Sequence, residues 1–272
     1  MITSDFHMHT AFSTDSETPA RAMIEGAIAK GLKTICITDH RDEDYPFYEE
    51  MGEYAFRLDV DAYFRELNTL REEYADRIDV RIGIELGLQP HLGKSYQELV
   101  NKYPFDFVIG SVHVVKGTDP YYGEIFREGS DEEAYRETFR ETIENIKNVD
   151  DFDVLGHIDY VVRYGKCQDK EYSYEKFAPE LDEILKTVIE KGKGIELNTA
   201  GWKYGLRFAH PHPEVLKRYR ELGGEIITIG ADAHKPEHIA YDFEKVSELL
   251  RMCGFKYYTE FKGRKPFFYQ LL

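Results

Sequence analysis

Near the amino terminus the stretch F-H-M-H puts two imidazoles, His7 and His9, two residues apart. In an extended segment alternate side chains project to the same face, so both rings leave one strand end together, as a grip on a divalent cation requires. Taken alone, such a triplet is equally an ordinary pair of half-exposed polar residues. Further groups of the same chemistry recur along the chain: Asp39-His40, Glu85 in G-I-E-L-G, His113 in I-G-S-V-H, His157 in L-G-H-I-D, Asn198, and Asp232 with His234 in G-A-D-A-H. Imidazoles and carboxylates without a thiolate suit Zn, Mn or Fe, whereas an all-oxygen set would suit Mg or Ca. The set exceeds what one tetrahedral ion uses, so two or three ions are expected, with Glu85 as the bridging carboxylate.

Each of these residues follows a short apolar or β-branched run. The runs at 2–6, 34–38, 80–84, 107–110, 154–156, 194–197 and 226–230 read as buried strands. Between them, segments near 19–31, 59–76, 94–102, 131–147, 173–191, 213–223 and 236–253 carry apolar residues at helical spacing, several ending at a glycine. This alternation predicts an α/β fold with a parallel sheet. Seven βα units suggest a barrel, although an open doubly wound sheet fits the same pattern. In either case the carboxyl ends of the strands share one rim, where residues more than 200 positions apart converge. Six of the ten histidines fall on that rim.

The 272 residues, 42% hydrophobic, predict one domain spanning 1–272. A formal net charge of -16 excludes bulk electrostatic attraction to long nucleic acids or to membrane surfaces. An anionic substrate must then be a small molecule, drawn in by metals or a few arginines that reverse the field locally. Cys36, Cys167 and Cys253 form no C-x-x-C pattern and read as thiols of a reducing compartment, with Cys36 in the core. With neither a leader-like segment nor a long apolar run, the cytoplasm is the expected location. The acidic, aromatic segment 42–50 predicts a long loop.

In this order, H-M-H-T, I-T-D-H, G-I-E, S-V-H, G-H-I-D and D-A-H resemble the motifs of the polymerase and histidinol phosphatase family of metal-dependent phosphoesterases, over essentially the whole chain. The resemblance implies a distorted (β/α)7 barrel with its site at the carboxyl ends of the strands. It puts His7, His9, Glu85 and Asp232 on one metal, Glu85, His113 and His157 on a second, and Asp15, His40 and His234 on a third. Asp15 stands in A-F-S-T-D-S, where many relatives have histidine; its alternative role is to cap the helix beginning near Pro19. The implied reaction is hydrolysis of a phosphate monoester, L-histidinol phosphate, by a metal-bridging hydroxide. Asp232, His234 or water on the third metal would protonate the leaving group, with no ranking among the three, and Arg163 and Arg207 would meet the phosphate. Lys116 and Lys203 are weaker candidates for that contact, and ordinary surface cations are the alternative reading of all four. Glu17, Tyr121 and Tyr122 could face an aminoalcohol. A nucleotide or oligonucleotide phosphoesterase and a non-catalytic metal-binding module are the rival readings. His91, His210, His212 and His238 read as surface or capping residues, and Asn198 as a group that orients a ligand or satisfies backbone.

Overall fold

The computed structural model describes residues 2–127 and 129–271. Eight parallel strands form the main sheet: β1 (Ser4–Asp5), β2 (Thr34–Ile37), β3 (His40–Arg41), β4 (Asp79–Gly87), β5 (Phe107–Ser111), β6 (Val154–Leu155), β7 (Gly194–Asn198) and β8 (Ile227–Gly230). They pair in the order β1-β2-β4-β5-β6-β7-β8, with the short β3 also on β4. The sheet curls until its ends meet: Phe6 N donates to Ile229 O at 2.9 Å and His9 N to Ala233 O at 2.8 Å. The result is the expected distorted barrel rather than an open sheet.

Among the described residues eight helices accompany the strands: α1 (Ala20–Ala29), α2 (Val60–Glu73), α3 (Gly93–Lys102), α4 (Asp131–Asn148), α5 (Ala178–Glu190), α6 (Ala200–Lys203), α7 (Pro213–Glu221) and α8 (Phe243–Met252). Local chemistry marks their starts. Asp59 accepts from Ala62 N ahead of α2, and Ser130 with Glu133 forms a reciprocal capping box ahead of α4. The strands are buried on both faces, so they read as continuous apolar runs instead of alternating ones. One strand face packs on the helices; from the other, Phe6, Cys36, Phe107, Ile109 and Val154 join Phe261 in a second apolar cluster.

Three features depart from the sequence-based expectation. The segment 236–253 is not one helix: a 3-10 turn at Pro236–His238 is separated from α8 because Ala240 and Asp242 adopt φ of 51° and 55°, which a continuous helix excludes. The helix foreseen over 173–191 begins only at Ala178. Finally, an antiparallel hairpin, β9 (Tyr257–Lys262) and β10 (Lys265–Gln270), turns at Gly263-Arg264, both at positive φ as a tight hairpin turn demands. It seats against the amino-terminal ends of the barrel strands, with Arg81 donating to Phe261 O, Gly263 N to Asp106 and Ile227 N to Thr259 Oγ1.

Candidate metal centre

The barrel's carboxyl rim gathers the predicted ligands. Both imidazoles following β1 turn inward, with His7 Nε2 at 3.1 Å from His9 Nε2. Glu85, on β4, lies fully buried between them and three other histidines. Its Oε2 is 3.2 Å from His7 Nε2 and 3.0 Å from His40 Nδ1, and its Oε1 is 3.0 Å from His157 Nε2 and 3.3 Å from His113 Nε2. Asp232, after β8, comes within 3.4 Å of His9 Nε2. Asp15 Oδ2 lies 3.0 Å from His234 Nε2 and 3.6 Å from His40 Nε2.

Five triads offer ligand atoms within 4.8 Å of one another: His7, His9 and Glu85; His7, His157 and Asp232; Glu85, His113 and His157; His9, His40 and His234; and His40, Asp42 and His113. The donor set fits divalent cations. Glu85 Oε2 and His40 Nδ1 are buried without a hydrogen-bond partner, and buried polar atoms left this way point to a group that would satisfy them.

Behind the rim sits a layer that sequence reasoning missed. Glu196 Oε1 is 2.6 Å from His7 Nδ1, and Asp42 Oδ1 is 2.7 Å from His113 Nδ1. Such carboxylates fix the tautomer of a ligating imidazole and raise its basicity. Ser111 donates to Glu85 Oε1, and Asp39 holds Ser13 and Thr10 under His9. Glu196 was within reach of the period-2 rule, since it precedes Asn198 by two on β7 and therefore shares its face. Gly230 is required here: a Cβ would collide with His7 Cβ and Glu196 Oε1. Asp232 itself takes a left-handed φ of 52°, a costly conformation for a non-glycine residue.

Electrostatics follow from burial and crowding. Burial alone would raise the Glu85 carboxyl, yet the His7, His40 and His113 imidazoles hold it well below the usual range. Burial opposes Asp232 in the same way, and His7, His9 and His234 keep it ionised. His9, buried and flanked by His40 and His234, is pushed down to about 3 and stays neutral, with a lone pair to offer. Burial also works against the His113 cation, but Asp42 and Glu85 lift that ring to about 10.

Above the cluster opens a cavity of about 650 Å³. Arg163 reaches it from the 3-10 turn at Tyr160–Tyr164, its guanidinium 4.4 Å from the Tyr204 ring centroid and 4.8 Å from that of Tyr164, with a buried Nε that has no partner. Lys203 also lines the cavity and donates to the Asp232 carbonyl at 2.8 Å. Arg207 does not join them. It is solvent-exposed in the loop after α6 and absent from the described residues lining the cavity, because the loop turns it outward while Leu206 and Phe208 pack inward. Lys116 pairs with Glu137 on α4 instead, and the exposed Glu17 lies off the cavity wall. Tyr121 and Tyr122 do line it.

Of the four histidines set aside, His91 pairs with Asp44 on the surface and His212 caps α7. The other two differ from expectation. His210 is wholly buried against Asp159, 2.7 Å away, and His238 stands on the cavity wall. Asn198 satisfies backbone by accepting from Ala200 N, and its Nδ2 donates to Glu196. Among the described residues no helix is long and apolar enough to cross a membrane.

Comparison with known proteins agrees with this geometry. The chain is 34% identical to a histidinol-phosphatase of Lactococcus lactis over 267 residues, covering 96% of this chain and 95% of that one. It is 33% identical to a probable histidinol-phosphatase of Clostridium acetobutylicum over 252 residues, covering 93% and 94%. A crystal structure of histidinol phosphate phosphatase from Lactococcus lactis, complexed with zinc, L-histidinol and phosphate, superposes with a TM-score of 0.87 at 33% identity, covering 97% of this chain and 98% of that one. Residues 5–200 match the PHP domain model, and with the barrel, the histidine rim and these relatives together, the chain belongs to the PHP domain family.

Proposed function

We propose that this chain is a metal-dependent phosphomonoester hydrolase that converts L-histidinol phosphate to L-histidinol and inorganic phosphate, a step of histidine biosynthesis. The observation that carries this reading is the meeting of six imidazoles, Glu85 and Asp232 at the floor of a cavity that also receives Arg163. The likeness to histidinol-phosphatases over nearly the full chain length supports the substrate. We read residues 1–272 as one catalytic domain working in the cytoplasm.

His7, His9, Glu85 and Asp232 would hold one ion, Glu85, His113 and His157 a second, and Asp15, His40 and His234 a third, with Zn, Mn or Fe suiting this donor set. When bound, such ions supply Lewis acidity and lower the pKa of a coordinated water by several units. The chain's own residues do the rest. Arg163, held flat by its tyrosines, forks onto phosphate oxygens and neutralises their charge. Tyr45, Phe56 and Tyr160 line the cavity with rings that displace water from the ester. Asp232 and His234, both on the cavity wall, would relay a proton toward the departing alkoxide, Asp232 accepting before it gives because it is ionised.

The test combines metal analysis with phosphate release on one purified sample. L-histidinol phosphate should turn over much faster than generic phosphate esters; equal rates on both would remove the assigned substrate.

A further inference from the structure

The cavity is polarised. Arg163, Lys203 and Lys235 enter from the loops after β6, β7 and β8, whereas the two carboxylates away from the histidine cluster, Asp119 and Glu50, enter from the loops after β5 and β3. Around those carboxylates the wall is aromatic, with Tyr45 packed edge-on to Phe56 at 4.7 Å and Tyr48 stacked on Tyr122 at 3.5 Å. Ring faces and carboxylates together make a surface that favours a cation.

Asp119 is the fixed member of this wall. Its Oδ2 accepts from Tyr45 Oη at 2.6 Å and its Oδ1 from Tyr121 N at 2.8 Å, while its own N donates to Tyr48 Oη at 2.9 Å. A carboxylate has about four acceptor positions, so these two bonds leave capacity for a donor from the cavity. The contacts tie the 42–56 loop, closed at its base by Asp42 N to Phe56 O, to the turn at Pro120–Tyr122. Asp119 is thereby held in place before a ligand arrives, which reduces the ordering cost of binding.

We propose that Asp119 is a specificity-determining residue that binds a protonated nitrogen on the alcohol portion of the phosphate ester, an ammonium or an imidazolium. The inference rests on the phosphatase reading and adds to it how the leaving group is recognised: phosphate toward Arg163 and the histidine floor, the cationic end toward Asp119.

Asp119→Asn and Asp119→Ser both keep an acceptor for Tyr121 N and remove the charge. With metal-loaded enzyme, each should lower kcat/KM for L-histidinol phosphate by roughly 10- to 100-fold, as loss of a charged hydrogen bond implies. Turnover of p-nitrophenyl phosphate, which has no cationic group, should stay within about threefold, whereas a merely structural role would lower both esters alike. O-phosphoethanolamine and 3-(imidazol-4-yl)propyl phosphate separate the two nitrogens: the ester whose advantage is lost in the variants carries the group that Asp119 binds. Calorimetry gives an independent readout, in which L-histidinol binds the variants more weakly and inorganic phosphate binds them as before. Equal losses on both esters, or unchanged selectivity, would overturn the proposal. So would a wild-type enzyme that shows no preference for nitrogen-bearing esters, whether or not the variants fold. Wild-type protein that hydrolyses none of these esters sinks the phosphatase reading, while the L-histidinol titration still scores Asp119.

Discussion

Glu196 and His7, both fully buried, meet at 2.6 Å, so the last residues of β7 set the orientation of the first imidazole in the chain. With Nδ1 engaged by Glu196, Nε2 is the ring atom that faces Glu85 and His9, 3.2 and 3.1 Å away. Replacing Glu196 by Gln should keep the packing but lose that orientation, weakening zinc affinity by about 10- to 100-fold. Asp42→Asn should do the same through His113. Competition against a chromophoric chelator measures both, and wild-type affinity in both variants would show that these carboxylates do not tune the ligands.

Asp232 reaches across the barrel seam, its Oδ1 3.4 Å from His9 Nε2 and 3.9 Å from His7 Nε2. Asp232→Asn should reduce phosphate release from L-histidinol phosphate by more than about 100-fold, beyond the effect expected of an orienting residue. The circular dichroism spectrum should not change. Retention of more than a tenth of the activity would remove Asp232 from the machinery.

Stripping the ions should also destabilise the fold, because ligands that bind only the native state raise its stability by mass action, by about 2.7 kcal/mol at a hundredfold excess over Kd. Glu85, Asp232 and the imidazoles would be left crowded and buried without their counter-ions. Dialysis against a strong chelator should therefore lower Tm by about 5 °C or more, and re-addition of zinc or manganese should restore it. An unchanged Tm would mean that the cluster holds no tightly bound ion.

The small inner cluster makes a separate prediction. Phe107 is buried beside Phe6, with ring centroids 5.5 Å apart, and 5.0 Å from the ring of Phe261 on the hairpin. Phe107→Ala should cost about 3–5 kcal/mol in urea denaturation, through lost transfer energy and the cavity left behind. A cost under about 1 kcal/mol would mean that the hairpin collapses inward to fill the space.

Acid stability has a local source far from the metal centre. Hydrogen bonds from Arg218 hold the Asp182 carboxyl well below its usual range, with Arg218 Nη2 2.7 Å from Asp182 Oδ2. A depressed folded pKa contributes stability that is present above the unfolded value of about 3.9 and is lost as pH falls below it. Asp182→Asn should accordingly be less stable than wild type at neutral pH by no more than about 1 kcal/mol, since the pair is partly exposed. That gap should narrow progressively as pH falls below about 4, toward the depressed folded value. A gap that persists in acid would assign the difference to packing.

What could be read from the chain alone divides along a physical line. His7, His9, His40, Glu85, His113, His157, Asp232 and His234 were legible because each lies at or just beyond the carboxyl end of a buried strand, and strand ends in a parallel barrel share a rim. Asp42 was not, because an orienting carboxylate needs no particular place relative to a strand end, whereas Glu196 could be reached only through the face it shares with Asn198 on β7. Arg207 could not be placed from the chain alone, because loop sequence does not say which way a side chain turns; it is exposed while flanking Leu206 and Phe208 pack inward. The break before α8 was hidden because Ala240 gives no sign of a left-handed backbone, and a lone Asp242, though it tolerates one, does not announce it. The barrel itself was legible from seven alternating units, whereas the terminal hairpin lacks a strong turn dipeptide such as Asn-Gly.

The seam of the barrel runs directly beside the cluster: Ala233 bonds to His9 and to His7 O, joining the first strand's exit to the last's. A nascent chain carries His7 and His9 more than 220 residues before Asp232 and His234 arrive to complete the cage. A ribosome stalled between the two would leave the first imidazoles on display with no opposite wall to close around them, so the cage forms only once the last strand has joined the first.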